Sequence, residues 1–417
     1  FYKYLNLHML SKLEKNLIEK EEAFCSNNYR PLPVVLKKGK GIYVWDVHSK
    51  KYYDFLSAYS AVNQGHCNSK ILWAFIKQST KLTLTSRAFY NSELGDSFEF
   101  ITKAFGYDKM MPMNSGAEAV ETAIKICRKW GHEIKKIKEN NAKIIVCNNN
   151  FHGRTTTLVS FSSSEKSRKN FGPLTEGFIE IPYNSIKSLE KVLSENNDIC
   201  GFLVEPIQGE GGVVVPDDGY LKKCKELCEK YNVLLIADEI QTGICRTGKL
   251  LASWHENIKP DLVILGKALS AGFYPVSGVL SSKKIMDIMK VGSHGSTFGG
   301  NPLAVVVSKA AIKYCLDYKL SENADKLGKI FRSELKRIAS KNKLISSVRG
   351  KGLLNAIVLD CDIKSEIPWK ICLKMKENGL LAKPTQGNII RFAPPLVISK
   401  KQLIKAIKII DSSLSEF

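Results

Sequence analysis

Val233-Leu-Leu-Ile-Ala237-Asp238-Glu239 and, further on, Asp261-Leu-Val-Ile-Leu265-Gly266-Lys267 decide the fold. Each is a short continuous apolar run that ends in charge. Runs of this length bounded by polar residues read as strands buried on both faces, the habit of parallel sheets. Ligands of such sheets collect at the carboxyl ends of the strands, so Asp238 and Lys267 are expected to face one crevice. A buried carboxylate and a buried amine need a reason to be there. A ligand with an aldehyde and a basic ring nitrogen would supply one.

Working outward, the same alternation continues upstream. Cys200-Gly-Phe-Leu-Val204 reads as a strand ending at Glu205-Pro206 and Gln208-Gly-Glu210-Gly-Gly212. Lys143-Ile-Ile-Val-Cys147 is another, leading to Phe151-His152-Gly153-Arg154. Between Val204 and Val233 a helix carries Leu221, Cys224, Leu227, Cys228 and Tyr231 on one face. Strands alternating with helices imply a mostly parallel α/β sheet. The glycines at 209, 211 and 212 do not open a helix as G-x-G-x-x-G, which disfavours a dinucleotide fold. At Met113-Asn114-Ser115-Gly116-Ala117-Glu118, Ser115 and Glu118 form an S-x-x-E capping box. The apolar stripe Val120, Ala123, Ile124, Cys127 and Trp130 continues that helix. Its free N–H groups, with Gly116 allowing close approach, favour a phosphate; an ordinary well-capped helix reads the same way.

Toward the ends the pattern loosens. Residues 1–30 have helical spacing and then meet Pro31 and Pro33, which stop a helix. Val34-Val-Leu36 and Gly41-Ile-Tyr-Val-Trp45-Asp46 predict strands of a meander. The stretch Phe55 to His66 has no clear period, and His66 reads as structural. After Lys267, the Gly- and Ser-rich loop Gly292 to Pro302 offers hydroxyls and N–H groups for an anion. A long helix is expected from Pro302, then helices and short strands through Val348 to Pro395. The expected division is 1–60 as an N-terminal segment of a small domain, 61–316 as a large domain, and 317–417 as the rest of the small domain.

Composition narrows the class. With 417 residues and 44% hydrophobic content the chain can bury a sizeable core in more than one domain. No apolar run approaches the about 18 residues of a membrane helix. Net charge is +21, yet only 10 of the 62 basic residues are arginine and the lysines are scattered. With no nucleic-acid module signature, the charge reads as solvated surface. The 11 cysteines lack paired metal spacing, and no metal is expected. Nothing resembles a secretory signal, and the acidic residues Glu14, Glu19, Glu21 and Glu22 do not suit a transit peptide. A cytoplasmic location is expected, with the mitochondrial matrix open.

Six stretches together resemble the fold-type-I, pyridoxal-phosphate-dependent ω-aminotransferases, nearest to the members that act on ornithine. They are Ser57-Ala-Tyr59-Ser-Ala-Val-Asn-Gln-Gly-His66, Val204-Glu-Pro-Ile-Gln-Gly-Glu210, Ile236-Ala-Asp-Glu-Ile-Gln-Thr-Gly243, Leu265-Gly-Lys-Ala-Leu269, Gly295-Ser-Thr297 and Arg391-Phe-Ala-Pro-Pro395. The likeness runs from about Tyr29 to the C-terminus. It implies a large α/β domain with a mostly parallel sheet and a smaller α+β domain built from both chain ends. The cofactor it implies is pyridoxal 5'-phosphate. Lys267 would bond its aldehyde and then shuttle a proton, and Asp238 would pair with its ring nitrogen. Gly116 and Ala117 would hold the phosphate, Phe151 and Ile240 would bracket the ring, and Gln241 would reach its phenolic oxygen. Ser296 and Thr297 would reach the cofactor of a neighbouring subunit, which implies a homodimer with shared sites.

For substrates, the resemblance implies ornithine and 2-oxoglutarate. Arg154 would clamp a carboxylate bidentately, while Tyr29 and Tyr59 would receive the α-amino end of ornithine. Glu210 would pair with Arg391 while ornithine binds and release it for glutamate. Acetylornithine, 4-aminobutyrate or lysine as donor is the nearest rival, and a basic nucleic-acid-binding protein on this scaffold the remote one. The chain departs from the family pattern in lacking a small Gly near position 120, in Ala271 where Gly is common, and in Gln386 where His often sits.

Overall fold

The computed structural model describes residues 10–417. Helix Lys12–Phe24 opens on a capping box between Ser11 and Glu14. It ends at Phe24, ahead of the prolines expected to stop it; the helical reading of residues 1–9 lies outside the described residues. Strands β1 (Leu36–Lys40), β2 (Tyr43–Asp46) and β3 (Lys51–Asp54) form the expected antiparallel meander. The first of them begins at Leu36 rather than Val34, because the Val34 N–H closes a tight turn onto the Leu32 carbonyl beside Pro33.

The central sheet has seven strands: β4 (Lys109–Met113), β5 (Lys143–Cys147), β6 (Phe178–Ile181), β7 (Ile199–Val204), β8 (Leu234–Asp238), β9 (Leu262–Leu265) and β10 (Ser277–Ser281). Their spatial order is β4-β10-β9-β8-β7-β5-β6. Only β10 runs against its neighbours, β4 and β9; the pairs from β9 across to β6 are parallel. Strands β7, β8 and β9 are buried along their whole length, which is why they read as unbroken apolar runs. Helix Gly116–Glu133 keeps its predicted capping box and buries Val120, Ala123, Ile124, Cys127 and Trp130 against this sheet.

Helix Pro302–Asp317 starts where expected, with Asn301 as its cap and proline in its first turn. Beyond it, β11 (Ile345–Lys351), β12 (Leu354–Leu359), β14 (Lys383–Thr385) and β15 (Ile389–Phe392) make an antiparallel sheet in the order β11-β12-β15-β14. The short strand β13 (Leu380–Leu381) instead pairs in parallel with β3, so the two chain ends share a sheet. One apolar cluster runs through Phe55, Leu269, Phe331 and Phe392 and joins these parts into a continuous core. Among the described residues, no helix is long and apolar enough to cross a membrane.

Candidate active site

Five parallel strands deliver their carboxyl ends to one cavity of about 190 Å³. After β4 come Gly116 and Ala117; after β5, Phe151 and His152; after β7, Glu205; at the end of β8, Asp238, Ile240 and Gln241; after β9, Lys267. This is the crevice that the two opening runs predict. Lys267 takes a left-handed backbone, with φ +44, immediately past β9. A non-glycine residue held there is strained, and such strain persists where the surroundings fix it.

The charges are arranged in pairs. Asp238 Oδ2 lies 2.7 Å from His152 Nδ1, both side chains nearly inaccessible, and Asp238 Oδ1 accepts from the Ile240 N–H at 3.1 Å. Burial works against charge on His152, but the hydrogen bond and the negative field of Asp238 outweigh it and hold the imidazole above its ordinary value. Burial draws the Lys267 amine down to about 8, with Asp238 and Glu210 resisting the shift. Glu205, fully buried, is pushed up to about 7, and its Oε2 accepts the Phe151 N–H at 3.0 Å. Glu239, beside Asp238 in sequence, faces elsewhere: it accepts from Thr242, Ala252 and Ser253 and serves the loop.

At the rim, Glu210 Oε1 accepts from Arg391 Nη1 at 2.8 Å and from Gln241 Nε2 at 3.2 Å. Burial alone would raise the Glu210 carboxyl; the Arg391 charge overrides it and keeps the group below its ordinary value. Arg391 is only 2% exposed, and its Nε finds no partner among the described groups. The Arg391 guanidinium lies 4.8 Å from the Tyr59 ring centre. Tyr59 gets there on a left-handed turn, Ser57 to Ser60, whose four residues all have positive φ. Arg154 is exposed, with its guanidinium 5.9 Å from the Tyr29 ring and 5.8 Å from that of Phe151; Tyr29 itself is 61% exposed.

Of the residues singled out in the sequence, Ser296 and Thr297 are the ones away from this group. Ser296 accepts from Asn114 Nδ2 at 2.9 Å and lines a separate cleft, while Thr297 is exposed. His152 and Glu205 were missed as site residues, although both follow strands and the strand-end rule alone would have found them. His66, read as structural, lies 2.7 Å from Asp54 Oδ2, away from the cavity lining.

The residues present fit pyridoxal phosphate. Gly116, the first residue of its helix, lines the cavity with Ala117, so the helix start faces it, and a Cβ on Gly116 would come 3.0 Å from Ile240 Cδ1 on the same wall. A backed carboxylate, a depressed amine and an aromatic wall line the same small space, the set an aldehyde-bearing, basic aromatic ring requires. Residues 24–414 match the aminotransferase class-III family, to which the chain therefore belongs. It is 55% identical to the mitochondrial ornithine aminotransferase of Drosophila ananassae, over 96% of this chain and 92% of that protein. Among solved structures it superposes on the ornithine aminotransferase of Toxoplasma gondii, in which pyridoxal phosphate partly occupies the active site. There the TM-score is 0.95 and the identity 47%, over 97% of this chain and 94% of that one. The acetylornithine aminotransferase of Elizabethkingia anophelis is also similar, with TM-score 0.90 and 57% identity over 97% and 99%. Within the class-III family the chain stands with the ornithine aminotransferases.

Proposed function

We propose that the protein transfers the δ-amino group of L-ornithine to 2-oxoglutarate, giving glutamate and glutamate-5-semialdehyde, which closes to pyrroline-5-carboxylate. When bound, pyridoxal phosphate supplies an aldehyde that takes up amines and a ring that draws electrons from the adjacent carbon. Lys267, whose free amine burial draws down to about 8, would hold that aldehyde, and its amine, once free, would move a proton at the substrate carbon. Asp238, oriented by His152, would pair with the ring nitrogen. Gly116 and Ala117 would hold the phosphate, Phe151 and Ile240 would bracket the ring, and Gln241 would reach its oxygen, all of them lining the one cavity.

The observation that carries the choice of substrates is the Glu210–Arg391 pair, 2.8 Å apart and bonded through Glu210 to Gln241, which lines the cavity together with Lys267. Paired, it presents little net charge to the chain of a diamine acid; opened, it frees Arg391 for the α-carboxylate of glutamate. Arg154 binds the other carboxylate, and Tyr29 and Tyr59 receive the α-amino end of ornithine. Ser296 and Thr297, outside this chain's cavity, serve the site of a second copy in a homodimer. The proposed compartment is the cytoplasm, and the names of mitochondrial relatives support the matrix as the alternative, which cell fractionation decides.

The likeness to an acetylornithine aminotransferase supports a second reading, with the acetylated donor. A donor panel on the holoenzyme separates the two. Ornithine should give the higher kcat/KM, with pyrroline-5-carboxylate detected directly and no turnover by Lys267→Ala. Faster turnover of acetylornithine would overturn the main reading.

A further inference from the structure

We infer that Thr385 and Gln386 are positioning residues for the Glu210–Arg391 pair, pinning the Glu210 main chain to the hairpin that carries Arg391. The inference rests on the proposed two-state use of that pair. The Glu210 carbonyl accepts from Thr385 Oγ1 at 3.1 Å and from Gln386 Nε2 at 2.9 Å. Both donors sit at the end of β14, which pairs with β15 so that Lys383 faces Arg391 and Thr385 faces Ile389. The carboxylate and the guanidinium therefore hang from one frame.

The rest of the loop is seated on the same frame. Ile207 and Val213 pack with Leu354, Ala356, Val358 and Ile389. Gly212 sits at φ +105, a backbone that side chains rarely adopt, and a Cβ there would displace Ile389 Cδ1. Gln208 and Val214 close the loop base with a bridge. Gln386 adopts φ +48, a strained conformation for a non-glycine residue, at the turn that aims its amide at Glu210. With the main chain held at so many points, opening the pair becomes a rotation of the Glu210 side chain alone. The Arg391 Nε, buried and unpartnered, marks a guanidinium with bonding capacity left for an incoming carboxylate. The hairpin thus sets how often Glu210 sits on Arg391, and so the balance between the two half-reactions.

The test compares holoenzymes of the parent, the double variant Thr385→Val/Gln386→Met, and Glu210→Ala. Glutarate, a five-carbon dicarboxylate, is the binding probe by calorimetry, and each half-reaction is followed by rapid mixing with ornithine or 2-oxoglutarate. Loosening Glu210 should tighten glutarate binding about fivefold, the worth of one ordinary hydrogen bond. The ornithine half-reaction should slow by a similar factor while the 2-oxoglutarate half-reaction does not. Unchanged glutarate affinity, or equal slowing of both halves, overturns the proposal. If Glu210→Ala tightens glutarate and the double variant does not, the hairpin's role alone fails; if Glu210→Ala also leaves it unchanged, the pairing itself is wrong. Gln386 is exposed, so its single variant carries the same test should the double variant misfold.

Discussion

Among the described residues Glu205 has no ion-pair partner, and it lies buried in the field of two other acidic residues of the site, Asp238 and Glu210. Burial first, and the Asp238 charge with it, raises it from an ordinary 4.5 to about 7, with His152 opposing. The sign for stability follows. Below about 4.5 the group is protonated folded and unfolded, and its contribution is fully present. As pH rises, the unfolded carboxyl ionises while the folded one stays neutral, and that contribution is lost up to about 7. Glu205→Gln removes the titration. The parent should therefore lose thermal stability relative to this variant between pH 4.5 and 7, as melting curves across that range will register. Parallel curves would place the ionisation elsewhere. Tyr59 offers a second single-residue test, because its ring covers the Arg391 guanidinium. Tyr59→Ile removes both the ring face and the hydroxyl. Ornithine kcat/KM should fall about tenfold relative to longer ω-amino donors, and an unchanged ratio would strip Tyr59 of any part in selection.

Helix Gly116–Glu133 joins local sequence to the site most directly. Ser115 Oγ accepts the Glu118 N–H at 3.2 Å, while Glu118 Oε2 accepts the N–H groups of Ser115 and Asn114. Ser115→Ala should cost about 1 kcal/mol of stability and, in a chain this long, about 2 °C in Tm. It should also speed release of pyridoxal phosphate, because the first-turn N–H groups lose their fixed direction. Lower Tm with unchanged release would separate the cap from the site. This helix, and strands β5, β7, β8 and β9, were legible because their signals are local: apolar runs, a capping box, a period. The Ser57 to Ser60 turn was not, since none of its four residues is glycine. Asp54 Oδ1, accepting the N–H groups of Leu56 and Ser57, holds its entry. For His152 the strand-end rule reaches its position after β5, but not its pairing with Asp238, 86 positions away, which only the sheet brings about. The onset of β1 was misread because an apolar Val34-Val35 looks like a strand whether or not a preceding turn uses its N–H.

Across the whole molecule the site depends on three segments that meet at Arg246. Its guanidinium is 0% exposed and donates to the carbonyls of Leu353 and Pro394 and to Asn63 Oδ1, at 3.0, 2.7 and 2.5 Å. Asn63 returns a bond to the Ile244 carbonyl at 2.8 Å. One residue thus ties the loop after Asp238 to the segment bearing Tyr59 and to the strand bearing Arg391. Among the described residues no carboxylate pairs with it, and burial draws it down to about 9, with the Asp54 charge resisting. Two effects compete in Arg246→Met. Removing a buried charge recovers its desolvation cost, which can leave an apolar replacement neutral or stabilising. Three buried acceptors, however, lose their donor together, at about 1–3 kcal/mol each. Because the acceptors belong to separate segments, no local shift can pair all three again, so the second effect should win by about 3 kcal/mol. Urea unfolding should show a lower midpoint, and kcat/KM should fall even where the variant remains folded, since Tyr59 and Arg391 no longer share a fixed frame with Asp238. An unchanged midpoint would mean that the three bonds only offset the guanidinium's own desolvation, and that packing between Phe55, Phe331 and Phe392 holds the segments in register without it.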